Sequence, residues 1–235
     1  MRPDPEQVLA GGRMTHGLIR VGDTIRRPLH DRSAYVQAVL EQLEASGFTG
    51  APPFLGVDAE GREVLTFVEG EVLDGSPAVI SDRRLRSAAS LIRGFHDATA
   101  GTRLADGGEV VCHGDLGHHN TVFRGNAAVA LIDWDHGVAP GTRLVDFAHA
   151  VWCFAAVGER ALPISYQARA TDVMCDAYGW GDPSALLDEI ADRHRRARAE
   201  HASHGRRKAV EVFDEMIASM DLIEPELRKQ LGLTG

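Results

Sequence analysis

The sequence predicts a two-lobed α+β protein, with a small strand-rich lobe over residues 1–70 and a larger, mostly helical lobe over residues 71–235. Three observations predict it. Strand alternation and tight-turn signals crowd the part before residue 70, helical periodicity dominates beyond Leu144, and a polar connection, Gly70–Pro77, stands early between them. A chain of 235 residues can bury a sizeable core. A cleft is expected where two unlike lobes meet.

Each element has its own reason. Residues 17–29 (GLIRVGDTIRRPL) read as two short strands around a Gly22–Asp23 turn. Residues 33–45 carry apolar side chains at 36, 39, 40 and 43, the helical period, and Gly47 ends the run. Ala51–Leu55 and Glu63–Val68 alternate as strands across the turn Asp58–Gly61, and residues 82–99 read as a helix. Beyond Leu144 the pattern is helical, with breaks near Gly158, Gly179–Pro183 and Gly205; Trp152, Phe154 and Trp180 are expected in its core.

Composition excludes some functions. A net charge of −9 argues against general nucleic-acid binding, and the basic run at residues 193–201 reads as a solvated helix face. No run of about 18 apolar residues marks a membrane span. Three scattered cysteines, Cys112, Cys153 and Cys175, make neither a disulfide framework nor a zinc site, and a reducing cytoplasm is expected. The only lysines are Lys208 and Lys229, so every cation before them is arginine or histidine.

Residues 110–148 carry the chemistry: VVCHGDLGHHNTVFRGNAAVALIDWDHGVAPGTRLVDFA. Thr121–Arg124 and Ala127–Ile132 form a hairpin pattern about Gly125–Asn126, which places Asn120 and Asp133 at its two open ends. Asp115 lies in the loop just before, so a carboxylate, an amide and a second carboxylate converge. Oxygen ligands from Asn120 and Asp133 suit Mg²⁺. Asp115 remains to accept a proton from an attacking hydroxyl. Asp135 offers a second metal contact or a solvated strand end, and Asp146 can cap the helix it opens.

The run His113-Gly114-Asp115, four residues, Asn120, then Ile132-Asp133-Trp134, resembles the aminoglycoside phosphotransferase and choline-kinase-like family, strongly over residues 110–150 and loosely over 12–100. That resemblance implies a protein-kinase-like fold. It implies ATP or another nucleoside triphosphate as co-substrate, Mg²⁺, and in-line phosphoryl transfer to a small hydroxyl-bearing acceptor. It makes Asp115 the catalytic base and Asn120 and Asp133 the metal ligands. Asp146 then braces the catalytic loop, and His113 holds that loop in shape. The usual strand lysine is replaced by Arg26, with Arg27 beside it. Val36 stands where the partnering helix glutamate is expected, leaving Glu41 and Glu44 as other candidates. Leu9–Thr15 is the candidate phosphate-covering loop, and Thr66–Glu69, with Val68, the candidate adenine contact between the lobes.

Two other readings stay open. A degenerate kinase fold could bind nucleotide without catalysis, in keeping with the missing lysine–glutamate pair. A metal-dependent hydrolase could draw on His113, Asp115, His118, His119, Asp133, His136 and His149, although these lack H-x-H or H-E-x-x-H spacing. The acceptor is expected to be read by the helices after residue 155. There Asp172, Asp176, Asp188, Glu189 and Asp192 favour a cationic compound.

Overall fold

The computed structural model describes residues 6–8, 17–73, 79–135 and 137–233. The expected phosphate-covering loop Leu9–Thr15 and His136 lie outside the described residues. The chain opens with β1 (Glu6–Val8), β2 (Ile19–Val21) and β3 (Thr24–Pro28), followed by α1 (Ser33–Ala45), β4 (Phe54–Val57) and β5 (Arg62–Thr66). These five strands form one antiparallel sheet in the order β1-β2-β3-β5-β4. The turn between β2 and β3 uses the left-handed freedom of Gly22, and the α1 side chains at the helical period, Val36, Val39, Leu40 and Leu43, are all buried. With Leu65 of β5 they join one continuous core.

Beyond β5 the chain gives β6 (Glu71–Val72), α2 (Asp82–Thr99), β7 (Val110–Cys112), β8 (Thr121–Arg124), β9 (Ala127–Leu131) and β10 (Ala139–Gly141). Four helices follow: α3 (Arg143–Phe154), α4 (Ile164–Tyr178), α5 (Pro183–Ser203) and α6 (Arg207–Gln230). A three-stranded sheet runs β6-β8-β9, and β7 pairs with β10. β6 takes its place beside β8 because Gly70 leads into it: a Cβ at Gly70 would stand 2.6 Å from the Phe123 carbonyl oxygen. The stripe Leu85, Ala88, Ala89, Ile92 and Phe95 of α2 is fully buried. Burying one such leucine or phenylalanine contributes about 1.5–3 kcal/mol. Gly179, in the left-handed region, ends α4 as the break there predicts. Among the described residues no helix is long and apolar enough to cross a membrane.

β7 is wholly buried and delivers the chain to His113, the hairpin β8–β9 returns it to Asp133, and α3 starts after β10 has paired back onto β7. Three short elements thus fix the ends of one loop.

Candidate active site

The loop His113-Gly114-Asp115 is gripped from α3. Asp146 is 1% exposed; its Oδ2 accepts the His113 backbone N–H at 2.8 Å and its Oδ1 accepts that of Gly114 at 2.9 Å. The helix cap that Asp146 was expected to share belongs to Thr142 alone, whose hydroxyl accepts from the Val145 N–H at 3.3 Å. That leaves the Asp146 carboxylate free to act as a brace. His96 of α2 donates Nε2–H to Asp146 Oδ2 at 3.1 Å, so its Nδ1 accepts from the Tyr178 hydroxyl, 2.6 Å away. Burial pushes the Asp146 carboxyl up, but the His96 hydrogen bond, the two nearby imidazoles and the His113 N–H together hold it below the usual carboxylate range. Gly114 is required here: its φ is +84°, and a Cβ would meet the Gly137 carbonyl oxygen at 2.5 Å.

The open ends of the hairpin meet as the sequence predicts. The Ile132 N–H donates to the Asn120 carbonyl at 2.9 Å, and the His113 ring lies 3.0 Å from the Ile132 carbonyl through Nε2. Asp133 comes next, in the left-handed region with φ 65°, a conformation that costs a non-glycine residue about 1–2 kcal/mol. The Asn120 amide nitrogen donates to the Asp115 carbonyl and to Asp115 Oδ2, both at 2.9 Å. Its amide oxygen is thereby turned away from Asp115. This oxygen and the Asp133 carboxylate are hard donors of the kind Mg²⁺ takes.

Asp115 itself is half exposed. Its Oδ1 lies 3.2 Å from His149 Nε2 and its Oδ2 lies 3.5 Å from His119 Nε2. Hydrogen bonds from these two imidazoles hold the Asp115 carboxyl well below the usual range. Burial pushes His149 down, against the pull of Asp115, so a neutral ring donates its Nε2–H to the carboxylate. The result is an ionised carboxylate with one side open, positioned by an amide and two rings.

The two expected cofactor contacts, Arg26 and Val68, come from β3 and from the segment after β5. Arg26 points to the β4–β5 turn, with Nε 3.4 Å from Asp58 Oδ2 and a hydrogen bond to the Thr24 hydroxyl. Arg27, on the opposite face of β3, is 4% exposed and pairs with fully buried Glu63 directly across in β5. Gln37 of α1 donates to the other oxygen of Glu63 at 3.0 Å. Val36 is core, Glu41 and Glu44 are exposed, and the helix contribution comes from the neighbouring amide. Arg27 Nη2 is buried without a hydrogen-bond partner among the described residues. Val68 lines a cavity of about 510 Å³ with Thr66, Phe67, Pro53, Leu91 and Ala128. Among the described residues the backbone of Val68 makes no hydrogen bond.

Among the described residues the histidines do not gather as a metal centre. His118 turns its Nδ1 to the Leu73 carbonyl at 2.6 Å, tying the loop to the connection after β6, and among the described residues no group of three or more His, Cys, Asp and Glu is arranged to hold a metal. Asp135 accepts the Gly137 N–H at 3.2 Å as a turn residue. Three acidic residues of α5 are matched: Asp188 with Arg228, Glu189 with Arg196, and Asp192 with Arg195. Sequence reasoning missed His96 and Arg193, and grouped His149 with Asp115 only within the alternative metal-dependent hydrolase site. Two of these left a signal. His96 sits four residues after Ile92 on the apolar stripe of α2, and His149 three residues after Asp146 on one face of α3. Arg193, whose Nη2 donates to the Gly114 carbonyl at 3.2 Å, was hidden in a run of arginines.

Comparison with known proteins agrees with this geometry. Residues 100–187, from the end of α2 into α5, match the model of the phosphotransferase enzyme family. The chain is 35% identical over 193 residues to the trifolitoxin immunity protein of Rhizobium leguminosarum bv. trifolii, covering 72% of each chain. Its fold is similar to an aminoglycoside phosphotransferase solved with GDP and kanamycin, with a TM-score of 0.61 at 14% identity over 94% of both chains. It is also similar to a spectinomycin phosphotransferase solved with ADP and spectinomycin, with a TM-score of 0.62 at 11% identity over 93% of both. On the loop, the hairpin and the brace, and on these likenesses, the chain belongs to the phosphotransferase enzyme family, with its kinase-like α+β fold.

Proposed function

We propose that this protein transfers the γ-phosphoryl group of ATP or another nucleoside triphosphate to the hydroxyl of a small-molecule acceptor. The observation that carries this reading is the ionised, half-exposed Asp115 carboxylate, fixed by Asn120 at the end of the hairpin that bears Asp133. The acceptor oxygen bonds to the γ-phosphorus, and the bond from that phosphorus to the β–γ bridging oxygen breaks. The nucleoside diphosphate leaves with that electron pair, and the hydroxyl proton passes to Asp115. Asp146, held by His96, keeps the loop in place so that Asp115 needs no rearrangement.

Asn120 Oδ1 and Asp133 would hold Mg²⁺, which when bound neutralises phosphate charge. Between the two arginines the geometry favours Arg27 as the phosphate contact: among the described residues its Nη2 has no partner, whereas Arg26 is engaged with Asp58 and Thr24. Val68, whose backbone makes no hydrogen bond among the described residues, would meet an adenine or guanine ring. GDP and ADP in the similar structures support the nucleotide, and kanamycin and spectinomycin there support a hydroxyl-bearing acceptor. The likeness to a trifolitoxin immunity protein adds a toxin to the acceptors to be tried.

A second reading, nucleotide binding without transfer, is favoured by one observation: both Asp115 oxygens are already engaged by imidazoles. Incubation of the purified protein with radiolabelled ATP or GTP, Mg²⁺ and a panel of hydroxyl compounds separates the two. Label transferred to an acceptor supports the kinase. Tight nucleotide binding with no transfer to any acceptor supports the second reading.

A further inference from the structure

We propose that the acceptor carries a carboxylate or other anionic group beside its reacting hydroxyl, received by Arg193 and His194 on the wall that α3 and α5 present to Asp115. This inference rests on the phosphotransferase reading and names the acceptor class for the same site. Four side chains make the wall. His149 touches Asp115 through Nε2, and the Trp152 ring lies 5.3 Å from the His149 ring on the same helix. His194 of α5 meets Trp152 edge-on at 5.0 Å. Arg193, the residue before it, donates to the carbonyl of Gly114, immediately before Asp115.

Arg193 brings a positive charge to this wall. Among the described residues Arg193 pairs with no carboxylate, unlike Arg195, Arg196 and Arg198 on the outer faces of α5, which meet Asp192, Glu189 and Asp214. His194 is 4% exposed, and neither of its ring nitrogens finds a partner among the described residues. An imidazole always has at least one N–H, so a buried donor is left waiting. A buried group of this kind calls for completion by water, an ion or a ligand. The Arg193 charge also helps burial push His194 down to about 4, so the ring enters neutral and gives one N–H. A polycationic acceptor would need free carboxylates here. Asp188, Glu189 and Asp192 of α5 are matched to arginines, and α4, which carries Asp172 and Asp176, packs mainly on α2 and α6. The arrangement thus opposes the cationic acceptor suggested by the acidic composition.

The test uses matched pairs. N-acetylserine, N-acetylthreonine and glycerate are each compared with their carboxamides, and kanamycin serves as the polycation. Affinity is measured by calorimetry with the non-hydrolysable ATP analogue and Mg²⁺ present, so the result does not depend on turnover. Phosphoryl transfer is measured separately. The acids should bind about 10- to 100-fold tighter than the amides, the worth of a hydrogen bond to a charged group. Arg193→Gln should erase the preference, and Arg193→Lys should restore part of it, which a purely structural role would not do. Equal affinity for acid and amide, undetectable binding of both included, or a preference for kanamycin, overturns the proposal. An acid preference that survives in Arg193→Gln overturns it as well. Loss of transfer with the acid preference intact would count against the phosphotransferase reading and leave the anion site standing.

Discussion

Asp146 shows how much one buried carboxylate can decide. It holds two successive backbone N–H groups of the loop and one imidazole, and water does not reach it. Asp146→Asn keeps the volume but turns an NH₂ toward N–H donors, so a loss of about 2–4 kcal/mol is expected, one or two unsatisfied buried groups. The wild-type carboxyl is held below its unfolded value. Its contribution is therefore complete above the ordinary aspartate pKa of about 3.9 and disappears as pH falls through the lower folded value. Urea unfolding at pH 7, 5 and 3 should show the gap between wild type and variant narrowing only at the lowest pH; a constant gap would remove the carboxylate from the argument. Arg27 is tested differently, because Arg27→Leu alone strands buried Glu63 and would cost about 3–5 kcal/mol. The double variant Arg27→Leu/Glu63→Leu replaces the pair by apolar groups and should fold. It should bind ATP about 1.5–3 kcal/mol more weakly and adenosine as before. Arg26→Ala should leave both affinities alike. A double variant with wild-type ATP affinity would return the phosphate to another residue.

At the scale of elements, α5 carries two opposite faces, one of paired charges and one that buries His194 against Trp152 and Phe213. The folded His194 titrates at about 4 against 6.5 for the free ring, so the unfolded chain takes up the proton first. Stability from this site is therefore whole above about pH 6.5 and is lost as pH falls toward about 4. His194→Leu should raise stability by about 1–3 kcal/mol at pH 7 and widen its lead over that window, while weakening acceptor binding. Thermal melts that show no gain would mean the ring has a partner after all. What the sequence made legible follows the same division. The periods of α1 and α2 and the hairpin turn at Gly125–Asn126 are local signals, and the structure has these elements where the patterns put them. β1, of three exposed residues, and β6, of two, exist only by pairing with distant strands, and no local pattern announces them. In the site, the approach of Asn120 to the segment bearing Asp133 was legible because one hairpin joins them. The His96–Asp146 brace and the Arg27–Glu63 pair were not, since each joins residues far apart in sequence whose types are ordinary for surfaces.

For the whole molecule, one sheet with its helix and one helical body bring the Asp115 carboxylate, the Asn120 amide and the Arg27 guanidinium into a single kinase-like frame. Metal dependence should follow from Asp133. Replacing it with Ala should abolish the Mg²⁺-dependent part of ATP affinity by calorimetry and leave the melting curve close to wild type, and unchanged Mg·ATP affinity would refute the ligand assignment. The central claim is that Asp115 takes the acceptor proton during phosphoryl transfer, and steady-state transfer by Asp115→Asn, measured beside its ATP affinity, tests it most directly. Turnover should fall about 10²–10⁴-fold, the usual worth of a general base, with ATP affinity nearly unchanged. An Asp115→Asn protein that keeps most of its acceptor phosphorylation would contradict the account.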